Sequence, residues 1–435
     1  MRRIVLYIVL GILFYNCVDE VDLAITTSGN DPEDILIVEG TLTNELKKHT
    51  ITLSTIDTIL DLQIDSVYTP FTPPRDIERD LVNYEENAQV VVVDGNGVEY
   101  GFDEVDPGIY ESSIAFAAQL ATTYQLLITT SNGRSFSSEP MQIQGVAEID
   151  GIHAAKTTSD TGAEGIGIFI TNNSVDGNSQ NLRFTYSETY KIIAPLWRPQ
   201  EFRLTNYDPC ALPVPTYDLE IVDRTEEQRV CYATEESNTI VQTQLSNLNG
   251  SGLEDFMVRF LGRSNFAISH RYSIEVAQLV SSPEAFGFYE QLDNFSQSDN
   301  VFSQVQPGFL EGNITADNGR EGAAIGFFDV ASVSKTRLFF NYSDFYPDEP
   351  LPPFPFDCGV HSSPESHVSY CFMGEFVNDC PQSIIERIDL GVISYVDVNS
   401  LNLGTCPGPY LYVASACGDC TRIGTNVVPE FWIEE

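Results

Sequence analysis

The chain has 435 residues, of which 63 are acidic and 22 are basic, so its formal net charge at pH 7 is -41. Nucleic acid phosphates and anionic lipid head groups repel so acidic a surface, which excludes a nucleic-acid partner and requires a lipid for any membrane attachment. Hydrophobic residues make up 42% of the sequence and aromatic residues 11%, enough to build packed cores, which excludes a disordered chain.

Residues 1–16 predict a lipoprotein signal peptide. Arg2 and Arg3 precede an apolar run from Ile4 to Tyr15, as in an export signal, and a membrane-spanning helix would need about 20 apolar residues. Cys17 follows this run directly, in a position that resembles the cysteine of a bacterial lipobox. We expect cleavage before Cys17 and acylation of this residue. The alternative is an ordinary signal peptide followed by a disulfide-forming cysteine.

The number of cysteines favours acylation. The chain has nine cysteines, and those of an exported protein are expected to pair in an oxidising compartment. Setting Cys17 aside leaves an even number. The disulfide candidates are Cys210, Cys231, Cys358, Cys371, Cys380, Cys406, Cys417 and Cys420.

Acidic residues follow Cys17 in a tether that we place at residues 17–34. Asp19, Glu20 and Asp22 resemble the signal that directs lipoproteins of the Bacteroidota to the outer face of the outer membrane. The protein is therefore expected to be lipid-anchored there and to face the cell exterior. The alternative is that these acids form only a solvated linker.

The first domain is predicted to span residues 35–145. Ile35–Thr43 and His49–Ile56 alternate β-branched with other residues and flank a short polar turn, which predicts a hairpin. Asp94–Gly97 and Asn132-Gly133 lie between further strand-like runs, where tight turns favour these residues. The spacing favours an immunoglobulin-like or transthyretin-like β-sandwich.

A proline-rich stretch, Ser66–Asn87, interrupts these strands. We interpret it as a long exposed loop with a short helical tail, either a contact surface or an insertion without a role. Near the start of this stretch, "DTI" and "DSV" resemble an O-glycosylation acceptor of the Bacteroidota, with Thr58 and Ser66 as the candidate residues. A chance match is the alternative.

The second domain is predicted to span residues 146–435 and to be β-rich, with at least one short packed helix and disulfides in its C-terminal part. The helix is expected over Ser282–Ser298, because Ser281 or Ser282 can cap it and Phe288 and Leu292 recur at helical spacing.

Four stretches then carry a resemblance to a known family. "ILIVEGTLTN" from Ile35, Gly108–Ser112, Gly312–Val333 and the tail Cys417–Trp432 resemble the lipoprotein family of the Bacteroidota known as domain of unknown function forty-two forty-nine. The resemblance spans nearly the whole mature chain, and the tail is its most specific part. It implies a TonB-dependent β-barrel receptor as partner, since such lipoproteins are often encoded beside one. It implies no catalytic residues.

The cysteines of the second domain allow several pairings. Cys210 and Cys231 bracket a proline-containing loop, and a bridge between them would stabilise the fold by about 3 kcal/mol. The last six cysteines have too many possible connectivities for the sequence to decide. We expect disulfides to join the tail to the region of residues 358–380, with Phe431 and Trp432 buried on the second domain.

A zinc site is the alternative for part of this region. Cys358, His361, His367 and Cys371 are ligand types that could surround zinc. An oxidising compartment favours disulfides instead, so neither a metal nor another cofactor is expected.

Familiar catalytic motifs are absent from the sequence, including Gly-x-Ser-x-Gly and His-Glu-x-x-His. The expected function is therefore non-enzymatic: a binding or accessory subunit of a TonB-dependent transporter system. The alternatives are a free-standing adhesin or envelope structural protein and, third, a glycan-active enzyme.

Overall fold

The computed structural model describes residues 35–55, 83–172, 176–177, 180–245, 252–296, 310, 312–317, 324–363, 383–401 and 407–434. In this part of the chain no helix is long and apolar enough to cross a membrane. Several predicted site residues lie outside it, namely Cys17, Asp19, Glu20, Asp22, Thr58, Ser66, His367, Cys371, Cys380 and Cys406.

The described chain is mainly β, as predicted. Its strands are β1 (Leu36–Thr43), β2 (Thr50–Thr55), β3 (Asn83–Tyr84), β4 (Gln89–Asp94), β5 (Glu99–Asp106), β6 (Ile109–Ser112), β7 (Tyr124–Thr129), β8 (Ser135–Ser138), β9 (Gly145–Val146), β10 (Gly151–Thr158), β11 (Glu164–Asn172), β12 (Asp176–Gly177), β13 (Asn181–Ile193), β14 (Gln200–Asp208), β15 (Thr216–Asp223), β16 (Val230–Glu236), β17 (Val241–Gln244), β18 (Leu253–Gly262), β19 (Arg271–Ser281), β20 (Ile314–Ala316), β21 (Ala324–Asn341), β22 (His361–Ser362), β23 (Ile393–Val398) and β24 (Tyr410–Ala414). Its α-helices are α1 (Pro283–Ser296), α2 (Tyr342–Phe345), α3 (Ile384–Asp389) and α4 (Ser415–Gly418), with 3-10 turns at Phe266–Ile268 and Cys420–Arg422.

The local predictions from turn chemistry are confirmed. β1 and β2 form the first hairpin. Gly97 and Gly133, both with φ of +82°, lie in the turns of the β4–β5 and β7–β8 hairpins, because only glycine adopts this conformation at little cost. Helix α1 begins after Ser282, whose hydroxyl accepts the backbone N–H of Ala285 at 3.1 Å.

The end of the predicted proline-rich loop differs from the expectation. A short helical tail was predicted before Asn87, yet Asn83–Tyr84 form the strand β3, which pairs with β2. Residues 56–82 lie outside the described part of the chain.

A large 14-stranded sheet dominates the fold. Its order is β16-β13-β19-β21-β1-β2-β6-β5-β4-β7-β8-β20, with β17 paired to β13 and β3 to β2. The neighbouring strands are antiparallel except β1 and β21, which are parallel over Leu36–Thr43 and Ala324–Ala331. The first strand of the chain therefore pairs with a strand that is distant in sequence.

The sheet curves until β20 approaches β21. The side chain of Asn313 donates to the carbonyl of Phe328 and accepts its N–H, both at 2.8 Å. Gly312 and Gly326 permit this approach, because a Cβ on Gly312 would lie 1.6 Å from the carbonyl oxygen of Gly326. A side chain at position 312 would push the two segments apart, whereas one at position 326 would collide with the backbone of Val38 in β1.

The first hydrophobic core joins the N-terminal strands to later ones. Leu36, Leu53, Val92 and Leu126 are fully buried in it, together with residues of the segment 285–330. Those later residues are Ala285 and Phe288 of α1, and Ile314, Ala316, Ala324, Phe327, Phe328 and Val330. Residues 35–145 thus share their core with part of the chain beyond the predicted boundary.

The second core lies between the large sheet and the three-stranded sheet β10-β11-β18. Ile166, Ile168 and Ile170 of β11 are buried together with residues of β13 and β19, among them Phe184 and Val276. Only one face of β13, β19 and β21 enters this core, because side chains alternate along a strand.

The C-terminal part adds the sheet β22-β24-β23, and Phe202 and Leu219 of the β14–β15 hairpin pack in the same small core as Tyr412 of β24. Disulfides join Cys231 to Cys420 and Cys358 to Cys417.

The possible Cys210–Cys231 bridge is wrong. Cys210 follows β14 near the end of the β14–β15 hairpin and takes part in another disulfide, whereas Cys231 lies in β16 and is bonded to Cys420. The tail is joined to Cys358 through Cys417, as expected, while Cys420 bonds outside the region of residues 358–380. The two tail cysteines pack in different small cores, which separates their partners.

Candidate functional site

The outer face of β13, β19 and β21 carries a concentration of cations. Side chains of one parity along these strands point away from the second core, and the cross-strand register places them on one side. Five of the chain's 22 basic residues lie on this side, namely Arg183, Lys191, Arg271, Lys335 and Arg337. We call this surface the basic face, and in a chain of net charge -41 it is a local exception.

At one end of the basic face is a cavity of about 280 Å³, the polar chamber. It is lined mostly by polar and charged side chains, among them Thr41 of β1, Lys47 of the β1–β2 turn, Arg183 and Lys335. Hydroxyl, ammonium and guanidinium groups here can bind a negatively charged group directly.

A second cavity of about 540 Å³, the apolar chamber, shares Arg183 and Thr185 with the first. Its apolar lining includes Phe288 and Leu292 of α1, and Leu310. The two chambers together form what we call the cleft, in which a charged and an apolar compartment meet at one arginine.

Two contacts hold Arg183 in place, and neither is an ion pair. Its Nη2 donates to the hydroxyl of Thr41 at 3.3 Å, and its guanidinium carbon lies 4.1 Å from the ring centroid of Tyr289. The Nε–H is buried and has no hydrogen-bond partner in the described part of the chain. A stacked guanidinium with an unused buried donor can donate a hydrogen bond to an oxygen atom of a ligand.

The other two cations of the polar chamber are already paired. Glu45 lies 2.7 Å from Nζ of Lys335 and 3.3 Å from Nζ of Lys47. Partial burial would raise the pKa of Glu45, but the hydrogen bond to Lys335 and the charges of both lysines outweigh it and lower that pKa. Glu45 therefore stays ionised, and of the described lining cations Arg183 is the one without a hydrogen bond to a described carboxylate.

A buried acid lies near Arg183. Asp329 of β21 is fully buried, and its Oδ1 accepts the N–H of Val330 at 2.9 Å and the hydroxyl of Ser282 at 3.3 Å. Its Oδ2 has no hydrogen-bond partner among the described residues. Burial raises the pKa of Asp329, while the charge of Arg183 opposes this increase. The charge of Arg183 thus acts on the carboxylate of Asp329 without a hydrogen bond between the two.

The C-terminal tail covers the other end of the basic face. Glu434 accepts from Nζ of Lys191 at 3.0 Å and from the hydroxyl of Tyr232 at 3.0 Å. Arg271 donates to the carbonyl of Ile433 at 2.6 Å. Burial and the bond to Glu434 raise the pKa of Tyr232 to about 12, which keeps the tyrosine a neutral donor.

Of the two aromatic residues of the tail, Trp432 is buried as expected and Phe431 is exposed. Trp432 is buried between Tyr232 and Phe339. Phe431, which was expected to be buried as well, is 38% exposed because its ring lies on the guanidinium of Arg337, 3.6 Å away, with its outer side open to solvent.

The zinc alternative loses one of its ligands. Cys358 is bonded to Cys417, so it offers no thiolate, and His361 is exposed and stacks on Tyr412. Among the described residues there is no group of three or more His, Cys, Asp or Glu side chains placed to hold a metal ion.

The sequence reasoning did not single out the residues of the cleft. A usable signal existed in "LRFTYSETYK", where Arg183 and Lys191 lie on one face of a strand whose other face is mostly aromatic or aliphatic. In "SVSKTRLFF", Lys335 and Arg337 likewise occupy alternate positions of one strand. The partners Thr41 and Tyr289 come from distant segments, so no local pattern connects them with Arg183.

The fold and the cleft define a mainly β protein with a ligand-sized cavity on one face of its large sheet. The chain belongs to the family described as Domain of unknown function (DUF4249), whose model matches residues 18–337. Arg183, Lys335 and Tyr289 lie within the matched residues. The match is shorter than the nearly whole mature chain that was expected, and the tail Cys417–Trp432, expected to be its most specific part, lies outside it.

Other comparisons add little. A comparison with curated proteins gave no match. Among solved structures, one compared chain comes from a structure described as manganese lipoxygenase of Gaeumannomyces graminis with a partial structure of zonadhesin of Komagataella pastoris. It has 9% sequence identity and a TM-score of 0.11, and the alignment covers 58% of this chain and 91% of that one. A similarity this low carries no argument about fold or function.

Proposed function

We propose that this protein is a non-enzymatic binding subunit. The observation that supports the proposal is Arg183, a fixed cation with an unused buried donor at the junction of a polar and an apolar chamber. Ligand sites are typically apolar cavities with a few placed polar groups. The described lining residues combine hydroxyl, cationic and apolar groups with the carboxylates of Glu39, Glu236 and Glu275, and the cations and apolar groups are suited to holding a ligand.

The proposed location is the outer face of the outer membrane, with an acyl group on Cys17 as the anchor. The support is the apolar run before Cys17, the even number of remaining cysteines and the acids Asp19, Glu20 and Asp22. A strongly acidic chain would not adhere to anionic head groups through its surface, so an acyl chain would supply the attachment.

As the partner we propose a TonB-dependent β-barrel receptor, to which this chain would present ligand. The support is the family resemblance. The test is mild detergent extraction of native membranes, followed by affinity purification of the tagged full chain and mass spectrometry. We expect a large β-barrel protein in stoichiometric amount. An untagged strain, extracted in the same way, is the control.

Other outcomes of this purification favour other functions. Recovery of the chain alone would contradict the transporter role and favour a free-standing adhesin or envelope structural protein. Turnover of a glycan panel by the purified chain would contradict the non-enzymatic role.

A further inference from the structure

The cleft is built to hold one negative charge beside an apolar body. Arg183 has no carboxylate hydrogen bond, and Thr41 and Tyr289 already hold its guanidinium in a fixed position. Preorganisation of this kind removes much of the entropic cost of fixing an arginine on a ligand.

The apolar chamber opens from the same arginine. Phe288 is almost fully buried, and Leu292 and Leu310 pack beside it against the first core. A ligand group that enters here removes apolar surface from water, while a charged end at Arg183 stays beside Lys335 and Thr41.

We propose that the cleft binds an amphipathic carboxylate, with the carboxylate on Arg183 and an aliphatic or aromatic body in the apolar chamber. This assignment rests on the proposed binding role and names its ligand class. A carboxylate accepts two parallel hydrogen bonds from one guanidinium, and the buried Nε–H supplies one donor that is not yet used.

The acids around the cleft do not occupy this position. Glu275 pairs with Arg337 at 2.9 Å, and Glu236 accepts the hydroxyl of Ser187 at 2.9 Å. Glu39 lines the apolar chamber and is exposed to solvent. None of the three hydrogen-bonds Arg183, so no carboxylate of the described residues occupies the position proposed for the ligand.

The chain itself shows this chemistry at the other end of the basic face. There the carboxylate of Glu434 contacts Lys191, and the neighbouring Trp432 and Phe431 pack on the same surface. A carboxylate next to an aromatic group is thus already bound by this face. The source of the external ligand can be a fatty acid or a short acidic peptide with an aromatic residue.

The test is isothermal titration of the purified chain without its signal peptide. The probes are dodecanoate below its micelle concentration, a synthetic peptide with the sequence of Pro429–Glu435, acetate, and dodecyltrimethylammonium. We expect saturable binding of dodecanoate, the peptide or both, and no binding of acetate or of the cation. The tighter of the two carboxylate probes identifies the source of the ligand.

Variants locate the binding. Arg183→Gln should weaken binding at least tenfold and Lys335→Gln several-fold. Arg203→Gln should change nothing, since Arg203 lies on the β14–β15 hairpin in an exposed pair with Glu220. Circular dichroism and thermal unfolding confirm that each variant is folded, and Lys335→Gln serves if Arg183→Gln does not fold.

Two results would overturn the assignment. One is no binding of either carboxylate, and the other is equal binding by the ammonium probe or by both folded cleft variants. If a barrel still copurifies with the chain in that case, the ligand class is wrong and the transporter role stands. If carboxylates bind but no barrel copurifies, the ligand class stands and the transporter role is wrong.

Discussion

Arg183 and Asp329 lie on strands of one sheet with β19 between them, and burial acts on them differently. A guanidinium keeps its charge in proteins and can stack on an aromatic ring, as Arg183 does on Tyr289. A carboxylate that loses water and lacks hydrogen bonds favours its neutral form, and Asp329 has one oxygen without a partner. The large sheet therefore contains the guanidinium of Arg183, which burial leaves charged, and the carboxylate of Asp329, whose ionised form burial disfavours.

The first prediction concerns Asp329→Asn. Burial raises the pKa of Asp329 in the folded state, so the folded chain binds the proton more tightly than the unfolded chain. The acid then lowers stability as pH rises from the unfolded value of about 3.9 through the folded pKa. The variant should gain stability relative to the parent over this window, by about 1.4 kcal/mol for each unit of pKa difference.

Urea unfolding of both proteins between pH 4 and pH 8 measures this gain. Because every other titrating group is the same in both, only the difference between the two curves is used. A difference that does not change with pH would show that Asp329 titrates alike in the folded and unfolded chains.

At the scale of elements, the close approach of β20 to β21 depends on glycine. Gly312→Ala would place a methyl group against the backbone of Gly326, which cannot rotate away as a side chain does. We expect a loss of about 3 kcal/mol of folding free energy. Denaturant unfolding measures it.

Gly287→Ala is the matched control for this substitution. Gly287 lies within α1, and a Cβ there would contact nothing within 4 Å. Alanine should stabilise the helix by about 1 kcal/mol, since glycine is the poorer helix former. If both variants shift stability in the same direction, the steric explanation for Gly312 fails.

The disulfide between Cys231 and Cys420 joins β16 to the tail across 189 residues. Replacing both cysteines with serine should cost about 2 to 5 kcal/mol, as loss of a native bridge usually does. Limited proteolysis should then cleave first near residues 420–434, because Trp432 and Glu434 pack on Tyr232, the neighbour of Cys231.

Replacing Cys358 and Cys417 together is the comparison. Removing this second disulfide should loosen the contact of Phe354 and Phe356 with Val413, because all three pack in the same small core as Cys358 and Cys417. The tail after residue 429 should stay in place. Identical cleavage patterns for the two double variants would contradict separate roles for the two bridges.

At the scale of the whole molecule, attachment and topology are predicted from the N-terminal sequence alone. Cys17→Ser should abolish incorporation of a fatty-acid analogue, because serine cannot form the thioether of a lipoprotein. Metabolic labelling followed by purification measures it, with the parent chain as control. Labelling of the variant at the parent level would disprove acylation at Cys17.

If the chain is anchored as proposed, replacing Asp19, Glu20 and Asp22 with alanine should leave it facing the periplasm. Protease shaving of intact cells measures the exposed fraction, and lysed cells give the total. If the variant is cleaved on intact cells as readily as the parent, these acids act only as a linker.

The sequence by itself determined the strands, several turns and helix α1. Alternating side chains in "NLRFTYSETYKII" predict β13, and Pro283 with the aromatic spacing after it predicts α1. These features depend on neighbours within a few residues, so their pattern is present in the sequence. The odd number of cysteines, which singles out Cys17, can likewise be read directly from the sequence.

Only the tertiary structure decided which distant segments meet. The parallel pairing of β1 with β21, the bond of Cys231 to Cys420 and the placement of Thr41 and Tyr289 around Arg183 each join segments far apart in the chain. A strand's alternation indicates that one face is buried, but it does not identify the strand that covers it or lies beside it. The cleft exists because packing of the whole chain brings Thr41 of β1 and Tyr289 of α1 to Arg183 of β13.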